Sequence, residues 1–137
     1  MFSNASLTTG VTLAPDGIGW DSVSDRNVKE NFETVDPREV LDRLASIPIE
    51  TWNVKGQEQP VRHMGPMAQD FHAAYGLGTD DKHISTVDAD GVALAAAKGL
   101  YGLVQEKEAE IVELRARLSA LETLVAKLAS QQDGGTK

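Results

Sequence analysis

Val104, Ile111, Leu118 and Val125 recur at every seventh position, and Leu114, Leu121 and Leu128 do the same in the complementary register. Taken as a and d of a heptad, only Lys107 breaks the apolar seam, and the charged residues mostly lie off it. This repeat places the apolar side chains on one narrow stripe of a helix. A helix packed back on its own domain carries a wider stripe. An unbroken helix from Val92 to Ser130 would be about 60 Å long at about 1.5 Å per residue. With one narrow seam it is not stable alone in water and needs partner helices. The Val/Ile/Leu mixture at a and d does not choose between two and three strands.

The rest of the chain offers little apolar surface to hide the seam. Of 137 residues only 5% are aromatic, which predicts a modest core and points to burial between subunits. The formal net charge of −8, with a pI near 4.8 and no Lys/Arg-rich run, argues against a nucleic-acid footprint. There are no cysteines, so disulfides and thiolate metal sites are excluded. No apolar run reaches the ~18 residues of a membrane span, and M-F-S-N-A-S does not read as a signal peptide.

Four regions follow. Residues 1–23 are rich in Thr, Ser and Gly and read as short strands or an extended stalk, with a turn at Pro15-Asp16-Gly17. Residues 24–91 read as a small α+β head. Within it D-P-R-E-V-L-D-R-L-A-S (36–46) predicts a helix: Asp36 as N-cap, Pro37 at N1, Glu39 at N3 as in a capping box, and Val40, Leu41, Leu44 and Ile47 on one face. Strands are expected over 49–54 and 61–65, a second helix from Pro66 to just before Gly76, and a loop over 76–90 with a strand-like patch from His83 to Val87. Residues 92–130 are the long helix, and 131–137 a frayed tail. Overall the chain reads as α+β: a small mixed head, then a long C-terminal helix forming a coiled coil.

Few residues invite chemistry. His63, His72 and His83 lack an i, i+4 pair, so no metal site is expected. Asp80-Asp81 and Asp88/Asp90-Gly91 lack the complete calcium loop, and Asp88 or Asp90 reads as a helix cap. Gly76 and Gly78 have no phosphate-loop pattern around them, no cofactor is implied, and Trp52 and Phe71 read as core. The exception is S-V-S-D-R-N-V-K-E-N-F-E (22–33), where Ser24 and Lys29 stand five apart. A serine hydroxyl attacks only once a base takes its proton, and a lysine is that base only as the neutral amine, which burial or nearby positive charge favours. Ser-Lys pairs are a recurring variant of this chemistry. On a continuous helix the spacing is poor for contact; in a turn the chain can bring amine to hydroxyl. On spacing alone, a turn-capping serine and a solvated lysine are the favoured reading.

The order of several blocks adds to this. S-D-R-N-V-K-E-N-F, then V-L-D-R-L-A-S-I-P-I-E-T-W-N, then H-M-G-P-M-A-Q-D-F, then S-T-V-D-A-D-G-V-A-L-A-A-A-K-G-L and the coiled coil resemble the C-terminal intramolecular chaperone domain of phage endosialidases, tailspikes and tail fibres, the S74 peptidase family. The resemblance runs from Ser24 to Ser130; Pro66 is a local variant within the G-P-M-A-Q-D-F block. It implies that the coiled coil is trimeric, a homotrimer whose folding client is the upstream β-stalk of the same polypeptide, and release by a Ser-Lys dyad. Carried over by position, Ser24 is the nucleophile and Lys29 the base. The cut falls beside Ser24, with Val23–Ser24 and Ser24–Asp25 both open. Asp25, Arg26, Glu30 and Asn31 belong to the motif without an assigned role, and Asp25 or Glu30 could salt-bridge Lys29. Residues 1–23 would be the last piece of the stalk. The implied setting is a phage tail precursor or a prophage-bearing bacterial cytoplasm during assembly. Two other readings stand beside it: a trimerisation module that keeps the fold and does not cut, and a coiled-coil adaptor binding through an acidic head.

Overall fold

The structure, a computed structural model, describes residues 10–13, 15, 17–57 and 60–133. The expected turn at Pro15-Asp16-Gly17 includes Asp16, which lies outside the described residues, as do residues 134–137 of the expected tail. In chain order the elements are β1 (Val11–Thr12), β2 (Asp21–Ser22), a 3-10 turn (Arg26–Val28), α1 (Pro37–Ser46), β3 (Glu50–Trp52), β4 (His63–Gly65), α2 (Ala68–Tyr75) and α3 (Thr86–Asp133). Two small antiparallel sheets, β1–β2 and β3–β4, accompany one long helix, so the mixed architecture is present.

Helix α1 starts where its cap demands. The Asp36 carboxylate accepts a hydrogen bond from the Arg38 N–H at 2.8 Å, and Pro37 occupies the first turn, where its missing N–H costs nothing. The reciprocal arm of a capping box is not made: Glu39 pairs with the Arg43 guanidinium one turn on. Ile47, which follows α1, is buried at 7% exposure, and Val40, Leu41 and Leu44 are half-buried. Arg43 also donates to the Ala74 carbonyl at 2.7 Å, and the Tyr75 hydroxyl donates to the Val40 carbonyl at 3.0 Å, tying α2 to α1. Burial raises the pKa of that hydroxyl above its ordinary value, against the opposing charge of Arg43. Gly76 closes α2 in the left-handed region, φ 64°, returning its N–H to the His72 carbonyl.

The β3–β4 pair is in register at Thr51 opposite Met64 and Trp52 opposite His63. The Trp52 and His63 rings lie 4.8 Å apart, and Trp52 is half-buried rather than fully in the core. Gln57 closes the connection, accepting from the Val54 N–H and meeting His63 Nε2 at 3.1 Å. In the loop before α3, Asp80 accepts from the Lys82 N–H and contacts the His83 ring; these hydrogen bonds hold its carboxyl below the ordinary value.

Helix α3 is longer than the heptad alone suggests. Its 48 residues run without a break, about 72 Å at ~1.5 Å per residue. It begins at Thr86 rather than Val92 and continues through Gln131–Asp133, which the sequence reads as tail. The strand-like patch at His83–Val87 is therefore loop and first helical turn. Ser85 precedes that turn, accepting the Ala89 N–H at its carbonyl, and Asp88 lies within the turn, where a carboxylate favours the positive end of the helix dipole, rather than at its cap.

The core sits where α1 lies against the first half of α3. Among the described residues, only Ile47, Phe71, Val92 and Ala96 are buried apolar side chains. Gly99 marks the closest approach: a Cβ there would stand 2.2 Å from the Pro37 carbonyl oxygen and 3.2 Å from Leu41 Cβ. Gly102, one turn further, has nothing within 4 Å of such a Cβ. Alanine should therefore act oppositely at the two sites. Gly102→Ala gains about 1 kcal/mol of helix propensity. Gly99→Ala gains the same but forces backbone apart, an overpacking cost of about 1–3 kcal/mol. Thermal unfolding should show a higher midpoint for Gly102→Ala and a lower one for Gly99→Ala.

Beyond α1 the helix is bare. Val104, Ile111, Leu114, Leu118, Leu121, Val125 and Leu128 are 44–64% exposed in the single chain. Lys107, the charged exception, binds Glu110 at 2.6 Å, which holds its ammonium above the ordinary pKa. No helix among the described residues is long and apolar enough to cross a membrane.

Candidate functional site

Ser24 and Lys29 lie at the two ends of one tight turn. The β1–β2 ladder pairs Val11 with Ser22 and Thr12 with Asp21, and the Val23 N–H extends it to the Gly10 carbonyl at 2.9 Å. The hairpin thus ends on Val23, the residue before Ser24. The chain then reverses through the 3-10 turn Arg26–Val28. Val28 N–H reaches the Asp25 carbonyl at 3.3 Å, and Lys29 N–H reaches the Arg26 carbonyl at 3.2 Å. A 3-10 turn is tighter than an α-turn, and here it folds the chain enough for the Lys29 side chain to come back over Ser24. Lys29 Nζ donates to Ser24 Oγ at 2.7 Å.

The residues between and after the pair hold the turn. Asp25 Oδ1 accepts from the backbone N–H and from the side-chain amide of Asn27, both at 3.0 Å. The Arg26 guanidinium sits over the Phe32 ring, 5.6 Å from its centroid. Asn31 takes φ 54°, a left-handed conformation that asparagine tolerates better than most residues. The sequence assigned Asp25 no role, although an Asp followed two positions later by a free backbone N–H is the signature of an Asx turn. The salt bridge raised for Asp25 or Glu30 does not form: among the described residues neither makes an ion pair with Lys29.

Both members of the pair are exposed in the single chain, and the 3-10 turn contains no buried residue. The expected coiled-coil positions all lie on α3, well separated in sequence from the turn. A hydroxyl and an amine in contact, next to a peptide bond held at the end of a hairpin, can exchange a proton and place the oxygen beside a carbonyl carbon.

No curated protein and no solved structure matches the chain. The model of the Peptidase_S74 family, described as a chaperone of endosialidase, matches residues 24–77. The match opens on Ser24 and takes in the turn, α1, the β3–β4 sheet and α2, and it supports a chaperone role. The segment carrying the Ser24–Lys29 contact is thus the part of the chain that is similar to the Peptidase_S74 family, the chaperone of endosialidase.

Proposed function

We propose that this chain is an intramolecular chaperone that trimerises through α3, holds the upstream β-segment in register while it folds, and then separates from it by cutting beside Ser24. The observation that carries the reading is the 2.7 Å contact between Lys29 Nζ and Ser24 Oγ at the end of the β1–β2 hairpin.

Ring size selects the bond. In cis, Ser24 Oγ reaches the Val23 carbonyl carbon through a five-membered ring, whereas its own carbonyl would require a strained four-membered one. The bond cut is Val23–Ser24. Neutral Lys29 takes the hydroxyl proton as Oγ adds to the Val23 carbonyl carbon. The tetrahedral intermediate collapses with the Ser24 nitrogen as leaving group, and the Lys29 ammonium returns the proton to it. Water then hydrolyses the Val23 ester, leaving a Val23 carboxylate, a free Ser24 amine and the original hydroxyl. The reaction is a net hydrolysis and needs no cofactor. Because the nucleophile and the carbonyl belong to one residue pair, no binding step is required.

Assembly supplies what the single chain lacks. Neighbouring copies that cover the exposed turn would favour the neutral amine. The exposed Leu13, Ile18 and Trp20 of the hairpin region suit packing against the same region of other copies, since a lone two-stranded hairpin is marginal in water. A trimer formed first raises the local concentration of the three β-segments and sets their register. Cutting afterwards removes the template, so the stalk is held by its unfolding rate.

Intact mass combined with light scattering tests this. The expected result is a trimer whose chains begin at Ser24, with a released piece ending at Val23. A stable trimer of uncut chains would support the module that assembles without cutting, and an uncut monomer or dimer the adaptor.

A further inference from the structure

We infer that Asp25 is a positioning residue for the Ser24–Lys29 pair, holding amine to hydroxyl through the Asn27-closed turn and not through its charge. The inference rests on the self-cleavage reading above. No core contact orders this turn: its residues are exposed and none is buried. The hydrophobic packing that fixes α1 on α3 does not reach it. Its shape depends on local bonds, and two of them share one acceptor. Asp25 Oδ1 takes the Asn27 backbone N–H and the Asn27 Nδ2 at 3.0 Å each. These bonds close the turn whose last rung is the Lys29 N–H on the Arg26 carbonyl. The Arg26–Phe32 stack ties the start of the turn to the chain beyond Asn31. Asp25 itself stays off the lysine, since its Oδ1 is occupied by Asn27 and it makes no ion pair with Lys29 among the described residues. That arrangement suits the chemistry, because a carboxylate beside Lys29 would favour the charged amine and oppose a base role.

Three variants separate position from charge. Asp25→Ala removes the acceptor and should slow self-cleavage about five- to tenfold, the scale of losing one side-chain cap. Asp25→Asn keeps a carbonyl oxygen at the same place without the charge, and should cut within about twofold of the native rate. Asn27→Ala loses only the side-chain donor and should fall between them. The pH–rate profile of Asp25→Ala should keep the native shape at lower amplitude, and its thermal midpoint should match the native protein. A shifted profile, or an Asp25→Asn variant as slow as Asp25→Ala, would assign Asp25 an electrostatic role and overturn the inference, as would an Asp25→Ala variant cutting at the native rate.

The Ser24 Hβ to Lys29 Hε nuclear Overhauser contact is the second readout, independent of turnover. It should be present in the native chain, lost in Asp25→Ala and kept in Asp25→Asn. If no variant cuts, including the native chain, the cleavage reading fails, and this contact alone decides whether Asp25 holds the pair. Its persistence in Asp25→Ala would refute that.

Discussion

Lys29→Ala and Lys29→Arg are both expected to leave the chain at full mass while it still assembles. A positioned general base contributes about 10²–10⁴-fold, so loss of the Lys29 amine converts a prompt cut into one barely seen on the same timescale. Lys29→Arg is the sharper variant. A guanidinium keeps the positive charge and can still donate to Ser24 Oγ, but it cannot accept the hydroxyl proton. It preserves the turn and removes only the base. Ser24→Ala removes the nucleophile and should show no cut at all, since no neighbouring hydroxyl occupies its place. Intact mass over time reads all three. A Lys29→Arg chain that cuts at the native rate would show that the 2.7 Å contact is a structural hydrogen bond and that the proton goes elsewhere.

Leu118→Asp should break the assembly and suppress the cut with it. Leu118 is an a position at the middle of the seam, 57% exposed in the single chain. In a coiled coil it faces its counterparts, and a buried carboxylate without a partner costs about 3–5 kcal/mol, repeated in every copy. Val112 is the control. It is 67% exposed and adjacent to the Ile111 seam position, but lies off the seam. Val112→Asp should leave the proposed assembly intact. Light scattering gives the assembly state, and far-ultraviolet circular dichroism should show Leu118→Asp losing helix, because the uncovered end of α3 has no tertiary support of its own. If Val112→Asp prevents assembly and Leu118→Asp does not, the seam lies on another face of α3. If Leu118→Asp is monomeric and cuts at the native rate, burial by neighbours is not what readies Lys29.

Much of the local structure was legible because it is written in short-range chemistry. Asp36-Pro37 starts α1 and Gly76 ends α2 because a cap acceptor and a left-handed residue are needed at those places whatever surrounds them. The start of α3 was less legible. T-V-D-A-D-G (86–91) has β-branched residues and a glycine, and its local preference is weak. Packing of Val92 and Ala96 in the core just downstream extends the helix through it. Gly99 gave no sign of its importance in sequence, since a glycine inside a helix reads only as a weak spot until Pro37 is found against it.

The heptad, the caps and the serine-lysine spacing are properties of the chain itself, because periodicity and side-chain chemistry do not depend on what lies elsewhere in space. Whether Lys29 touches Ser24 was not such a property. Five residues in an extended strand span about 17 Å, at about 3.4 Å each, and in a helix the two side chains point to different faces. Only the 3-10 turn closed by Asp25 and Asn27 brings them to 2.7 Å. The long helix divides in the same way. Its apolar seam is periodic in sequence, but that α1 covers the Val92–Ala96–Gly99 face and leaves Val104 to Leu128 bare depended on one close backbone approach between segments about sixty residues apart.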